Sequence, residues 1–153
     1  MKTEILDKTK KKRILKILEK NYGISNLPHL FIRSGEKIRI FSGSLSREEL
    51  EMMAKTINVD LIGNKLGTLS EHDFRLNFDI MNLPIIKSQI TKNIFELNDE
   101  QMKKYMQGNN LEITPMLGTK FISLKNGKDF IGIARNHKTY IQNYVPKERR
   151  IRK

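Results

Sequence analysis

Apolar residues recur between positions 7 and 22 as Ile14, Ile17, Leu18 and Tyr22, the spacing of one helix face, and Gly23 stands where a helix stops. At about 100° per residue, Lys12, Arg13, Lys16 and Lys20 project to the opposite side, which reads as a solvated face. Residues 30–33 and 37–41 flank Ser34-Gly35-Glu36, which predicts a hairpin. In its second strand Ile38 and Ile40 point one way, and Lys37, Arg39 and Phe41 point the other, giving a cationic side with an aromatic among the charges. Ser46 and Glu49 form a capping-box pattern that opens a second helix, with Leu50, Met53, Ala54 and Ile57 on its buried side. Strands are predicted over 59–62 and 74–80, the latter alternating strictly, with a glycine-bracketed turn at 63–68 between them. That glycine spacing matches neither dinucleotide-binding nor Walker loops. Pro84 and the run to Ile90 predict a short helix or extended link.

After about Lys92 the pattern restarts. A strand is predicted at 94–97, and Asn98 is placed to cap a helix with Met102, Tyr105 and Met106 on one face and Lys103, Lys104 and Gln107 on the other. Gly108 ends it. Residues 120–124 and 129–135 flank Asn126-Gly127, a strong hairpin signal, and a last strand is expected within 139–145. These elements predict an α+β chain in two parts, an N-terminal domain of helices on a mixed or antiparallel sheet over 1–91 and a sheet-rich domain over 92–153.

With 38% hydrophobic residues in periodic blocks, the 153-residue chain has apolar surface enough to fold. A net charge of +12 and a pI near 9.9 point to an anionic partner, nucleic acid before a membrane surface. The absence of cysteine removes disulfides, thiol nucleophiles and Cys-based zinc sites. Acidic residues Glu4 and Asp7 lie where a signal peptide has its apolar core, and no apolar run reaches the roughly 20 residues that span a bilayer, so a soluble, cytoplasmic protein without a membrane partner is expected. His29, His72 and His137 are dispersed, and no nucleophile elbow, cofactor fingerprint or metal-ligand spacing occurs, so no catalytic residue, metal or cofactor is expected. From position 135 onward the cations are Arg135, Lys138, Lys147, Arg149, Arg150, Arg152 and Lys153 against the single acid Glu148, with Tyr140, Asn143 and Tyr144 among them. Cations with interleaved aromatic rings suit phosphates and unpaired bases.

Several blocks carry a resemblance. Tyr105-Met106-Gln107-Gly108, Phe130-Ile131-Gly132 and Gln142-Asn143-Tyr144-Val145-Pro146-Lys147 with Arg149 and Arg150 resemble the PUA domain attached to Fmu/Sun-family RNA cytosine methyltransferases. Residues 63–67 followed by Phe74-Arg75-Leu76 are similar to the N-terminal domain of Nip-type ribosome-biogenesis proteins. The resemblance implies a C-terminal PUA-like β-barrel preceded by a pre-PUA domain. It also implies non-catalytic binding of structured RNA, rRNA or tRNA, in ribosome biogenesis or RNA modification, beside a modification enzyme or an assembly factor. The methyltransferases' catalytic domain, cofactor loop and cysteines have no counterpart here. Carried onto this chain, the RNA surface would use Lys103, Lys104, Gly108, Lys120 and Arg135, with Lys138, Asn143, Lys147, Arg149, Arg150 and Arg152 extending it along a terminal basic arm. The competing reading is a protein-interaction adaptor of an RNA-processing complex, which a large exposed apolar patch would favour.

Overall fold

The computed structural model describes residues 3–43, 46–56 and 63–152. Strand β1 (Thr3–Ile5) leads to helix α1 (Lys8–Tyr22), whose N-cap Asp7 accepts the backbone N–H of Lys10 at 2.9 Å and which ends at Gly23. Ile14, Leu18 and Tyr22 are its buried face, and Lys12, Arg13, Lys16 and Lys20 are exposed as the periodicity predicts. The hairpin β2 (Leu30–Ser34) and β3 (Lys37–Phe41) follows, then helix α2 (Arg47–Thr56), opened by the expected reciprocal bonds between Ser46 and Glu49. Strands β4 (Asn64–Ser70) and β5 (Asp73–Leu76) complete an antiparallel meander in the order β1-β2-β3-β4-β5.

The meander is covered on both faces. Phe31, Ile38, Ile40, Leu66, Phe74 and Leu76 pack with α1 in the main core, while Ile5 and Ile32 on the other face pack with Leu50 of α2. Phe41 joins that second cluster, so the aromatic expected among the charges of β3 is packing beneath α2. The turn expected at 63–68 is instead most of β4, and the chain reverses at Glu71 and His72. Its glycines mark irregular pairing: Ile38 faces Gly67 and Arg39 faces Lys65, leaving Leu66 extra. At Gly67 a Cβ would stand 2.2 Å from the Arg75 carbonyl oxygen, so the close backbone approach requires glycine. The strand expected at 59–62 and the position of Ile57 lie outside the described residues.

The strand expected over 74–80 ends at Leu76 and continues as a 3₁₀ turn, Phe78–Ile80, before the short helix α3 (Pro84–Lys87). Strand β6 (Ile94–Glu96) begins a second sheet, helix α4 (Asp99–Met106) crosses over, and β7 (Phe121–Asn126), β8 (Asp129–Asn136) and β9 (Ile141–Asn143) follow. The order is β6-β7-β8-β9, parallel at β6/β7 and antiparallel thereafter, with Leu111 bridged to Ile141. Among the described residues these pairings form an open sheet. The Asn126-Gly127 hairpin closes with Asn126 opposite Asp129.

One face of this sheet carries Ile122, Leu124 and Ala134 against Leu97 and Tyr105, and the other turns Phe130 and Ile133 into the core of the N-terminal half. The Asn82 side chain clamps that seam, donating to the Phe130 carbonyl at 2.7 Å and accepting its N–H at 2.9 Å. Lys87–Asp129 at 3.1 Å and Lys120–Asp73 at 3.7 Å bridge it with charge.

Candidate nucleic-acid interface

Helix α4 is built as its sequence predicts. Asn98 accepts the Gln101 N–H at 2.8 Å and the Gln101 side chain accepts the Asn98 N–H at 2.9 Å, a complete capping box. Tyr105 is buried under the helix and donates its hydroxyl to the Ile133 carbonyl at 2.6 Å, and burial raises the phenol's pKa and keeps it a neutral donor. Lys103 and Lys104 are exposed, Lys104 lying 3.6 Å from Glu100 one turn earlier. The helix ends in a Schellman motif, with Gly108 at φ 95 donating to Tyr105 at 2.9 Å and Asn109 donating to Lys104 at 3.2 Å. An open trough of about 660 Å³ runs between this end and residues 109–113, lined by Gln101, Lys104, Gln107, Asn110 and the acid Glu112. Asn110 also borders a second trough with Tyr140, whose ring stacks on His137 at 4.5 Å and 8°. Amide donors and acceptors and a lysine thus line the trough beside α4, with Glu112 the acid bordering both troughs and the ring pair beyond Asn110, and amides and exposed rings are side-chain chemistry that meets unpaired bases.

The structure changes the expected roles of several residues. Gly108 is not an open surface: the Arg150 guanidinium lies over it, and a Cβ there would fall 2.6 Å from Nε of Arg150. Arg150 is held by its Nε donating to the Val145 carbonyl at 3.1 Å, and the Ile151 N–H donates to the Met106 carbonyl at 2.9 Å. The terminal segment is therefore not a free arm. It makes a 3₁₀ turn, Lys147–Arg149, and docks back on α4. Arg149 forms a forked pair with Asp79 at 2.9 and 3.2 Å. Asn143 is also committed internally, donating to the carbonyls of Tyr105 at 2.6 Å and Asn109 at 2.9 Å and accepting the Val145 N–H at 2.8 Å. Its carboxamide is a structural tie. Lys147 and Arg152 are exposed, and Lys138 is exposed at the tip between β8 and β9.

Lys120 and Arg135 do not join Lys103 and Lys104. Arg135 stands opposite Phe121 in the β7/β8 register, on the face that also carries Ile133 toward the N-terminal half, whereas α4 covers the other face. There Lys120 lies 5.5 Å from the Phe121 ring, Phe121 lies 6.1 Å from Tyr144, and the Arg75 guanidinium lies 4.5 Å over the Tyr144 ring. Sequence reasoning missed Arg75 as a partner in this row. Alternation in 74–76 marks it as outward-pointing, but its ring partner comes from residue 144 and only the tertiary fold joins them.

Among the described residues no group of three or more His, Asp and Glu side chains is placed to hold a metal ion, and no helix is long and apolar enough to cross a membrane. Residues 92–151 match the family model of the methyltransferase RsmF PUA domain. No curated protein matches the chain significantly. The C-terminal part of this α+β protein is a PUA domain similar to that of RsmF, and the matched residues hold β6 through the docked terminal segment.

Proposed function

We propose that the protein binds structured RNA, rRNA or tRNA, through the α4 side of its PUA domain, and that it does so without catalysing a reaction, in RNA modification or ribosome assembly. A modification enzyme or an assembly factor would be its working partner, in the cytoplasm. The observation that carries this reading is the match of residues 92–151 to the PUA domain of an RNA methyltransferase, and the exposed Lys103 and Lys104 beside an amide-lined trough support it. The net charge of +12 adds long-range attraction to any polyanion. Lys103, Lys104, Lys138, Lys147 and Arg152 are the cations proposed to meet phosphates. Arg150 would present its outer face over Gly108.

Fluorescence anisotropy with a labelled blunt RNA hairpin tests this. Affinity should fall with salt at a log-log slope of about −4 to −5 if roughly four to six phosphates are neutralised, and Lys103→Ala with Lys104→Ala should reduce the slope by about 1 to 2. Salt-independent binding, or no binding, rejects the reading. Mass mapping of the RNA after incubation with the pure protein and S-adenosylmethionine should show no new modification or cut.

A further inference from the structure

The seam between the two halves has a chemistry of its own. A cleft of about 190 Å³ opens between β4, β5 and the 3₁₀ turn on one side and β8, Tyr144 and Pro146 on the other. Lys65, Thr68, Arg75 and Asn77 bring hydrogen-bond donors to it, Phe78 and Tyr144 bring rings, and no carboxylate lines it. The Arg75 guanidinium, fixed over the Tyr144 ring at 4.5 Å, has no hydrogen-bonded or ionic partner among the described residues. A guanidinium oriented by a ring, with its donors unspent, is preorganised for a bidentate phosphate or for a stacked base.

Size and surroundings define the ligand class. The cleft is smaller than the roughly 300 Å³ at which small-molecule pockets begin, so it suits one unit of a polymer better than a free metabolite. It neighbours a second cleft of about 280 Å³, with which it shares Lys65 and Asn77 in its walls. The one acid lining that neighbour, Asp79, is neutralised by the forked contact from Arg149. Beyond Tyr144 the row continues through Phe121 to Lys120, whose ammonium also meets Asp73 at 3.7 Å. Cations and rings in alternation along a narrow path form a track for a single strand, as a protein partner or a duplex would not require.

We propose that this seam binds an unpaired nucleotide of the RNA, Arg75 and Lys65 taking phosphate while Tyr144 and Phe78 wall the base. The inference rests on the RNA-binding reading and extends it, because it brings the N-terminal half into the RNA footprint and adds a site for an unpaired nucleotide on the sheet face opposite α4.

The full-length protein is tested against two hairpins of identical stem, one blunt and one carrying a short 3′ overhang. The overhang should tighten binding roughly tenfold, the scale of one stacked base and its phosphate. Arg75→Ala should erase that advantage and leave affinity for the blunt hairpin unchanged, and Arg75→Lys should restore only part, since it keeps charge without the planar fork. Thermal melting confirms that the variants fold. Independently of any variant, 4-thiouridine in the overhang should photocrosslink to peptides containing Phe78 or Tyr144. Equal affinity for both hairpins, an overhang advantage that survives Arg75→Ala, an equal loss on both RNAs, or crosslinks confined to other peptides each overturns the seam site while blunt-hairpin binding stands. Failure to bind the blunt hairpin overturns the RNA-binding reading itself.

Discussion

Two tyrosines perform the same task in the two halves. Tyr22, the last residue of α1, donates its hydroxyl to the Phe74 carbonyl and accepts the Leu76 N–H at 3.4 Å, and Tyr105 of α4 donates to the Ile133 carbonyl at 2.6 Å. The Ile133 carbonyl lies beyond the last rung of β9, so the phenol satisfies it. Tyr105→Phe leaves that acceptor buried and should cost about 1–3 kcal/mol, read from denaturant unfolding. His29 sets a pH dependence. Its Nδ1 is buried with no hydrogen-bond partner among the described residues, and burial, then the Lys11 charge, lowers its pKa below the usual 6.5. The folded state thus takes up a proton less readily than the unfolded chain. The associated stability is present above about pH 6.5 and is lost as pH falls from there through the lowered value. His29→Asn should flatten this part of the melting profile between about pH 7 and 5, and an unchanged profile would assign the acid sensitivity elsewhere. Neither role is legible from spacing, because a lone histidine or tyrosine shows its partner only once strands distant in sequence are side by side.

At the scale of elements, the docked terminal segment decides which contacts are structural. Asn143 ties β9 to the end of α4 by two side-chain hydrogen bonds and accepts the Val145 N–H in a third, whereas Arg149 meets Asp79 with both side chains about half exposed, at 51% and 51%. Asn143→Ala should therefore destabilise by about 1–3 kcal/mol, while Arg149→Ala should cost less than about 1 kcal/mol because an exposed ion pair is screened by water. Chemical denaturation of both variants checks the ranking, and the reverse order would make the charged clasp the dominant tie. The element boundaries most legible in the sequence are those set by local chemistry: Asp7, Ser46 and Asn98 cap their helices, Gly23 and Gly108 follow them, and Asn126-Gly127 turns the hairpin. Residues 63–68 read as a turn because glycine usually punctuates, but Gly67 is needed there by the Arg75 carbonyl across the sheet. Basic residues after position 145 read as an arm because nothing local shows that the Val145 carbonyl takes the Arg150 side chain and the Met106 carbonyl takes the Ile151 N–H.

Across the whole molecule, two sheets share one core. Phe130 and Ile133 lie on β8 within the matched PUA segment, yet they are buried against Ile80, Ile86 and the α1 side of the meander. Removing that cover would return both side chains to water at about 1.5–3 kcal/mol each, a large share of the stability of a segment of 60-odd residues. The seam is also polar-matched, with Asn82 supplying both a donor and an acceptor to Phe130. Intact protein should accordingly unfold in a single transition, with far-ultraviolet circular dichroism and tyrosine fluorescence coinciding along a urea titration. A fragment of residues 92–153 should bind a hydrophobic dye and lack a cooperative melt, because its Phe130 face is bare. Two separated transitions in the full chain, or a fragment that melts sharply on its own, would mean that the shared core adds little. Coupling of this kind also fixes the geometry of the cleft: Arg75 is carried by one sheet and Tyr144 follows the last strand of the other, so their 4.5 Å contact holds only while the halves fold as one body.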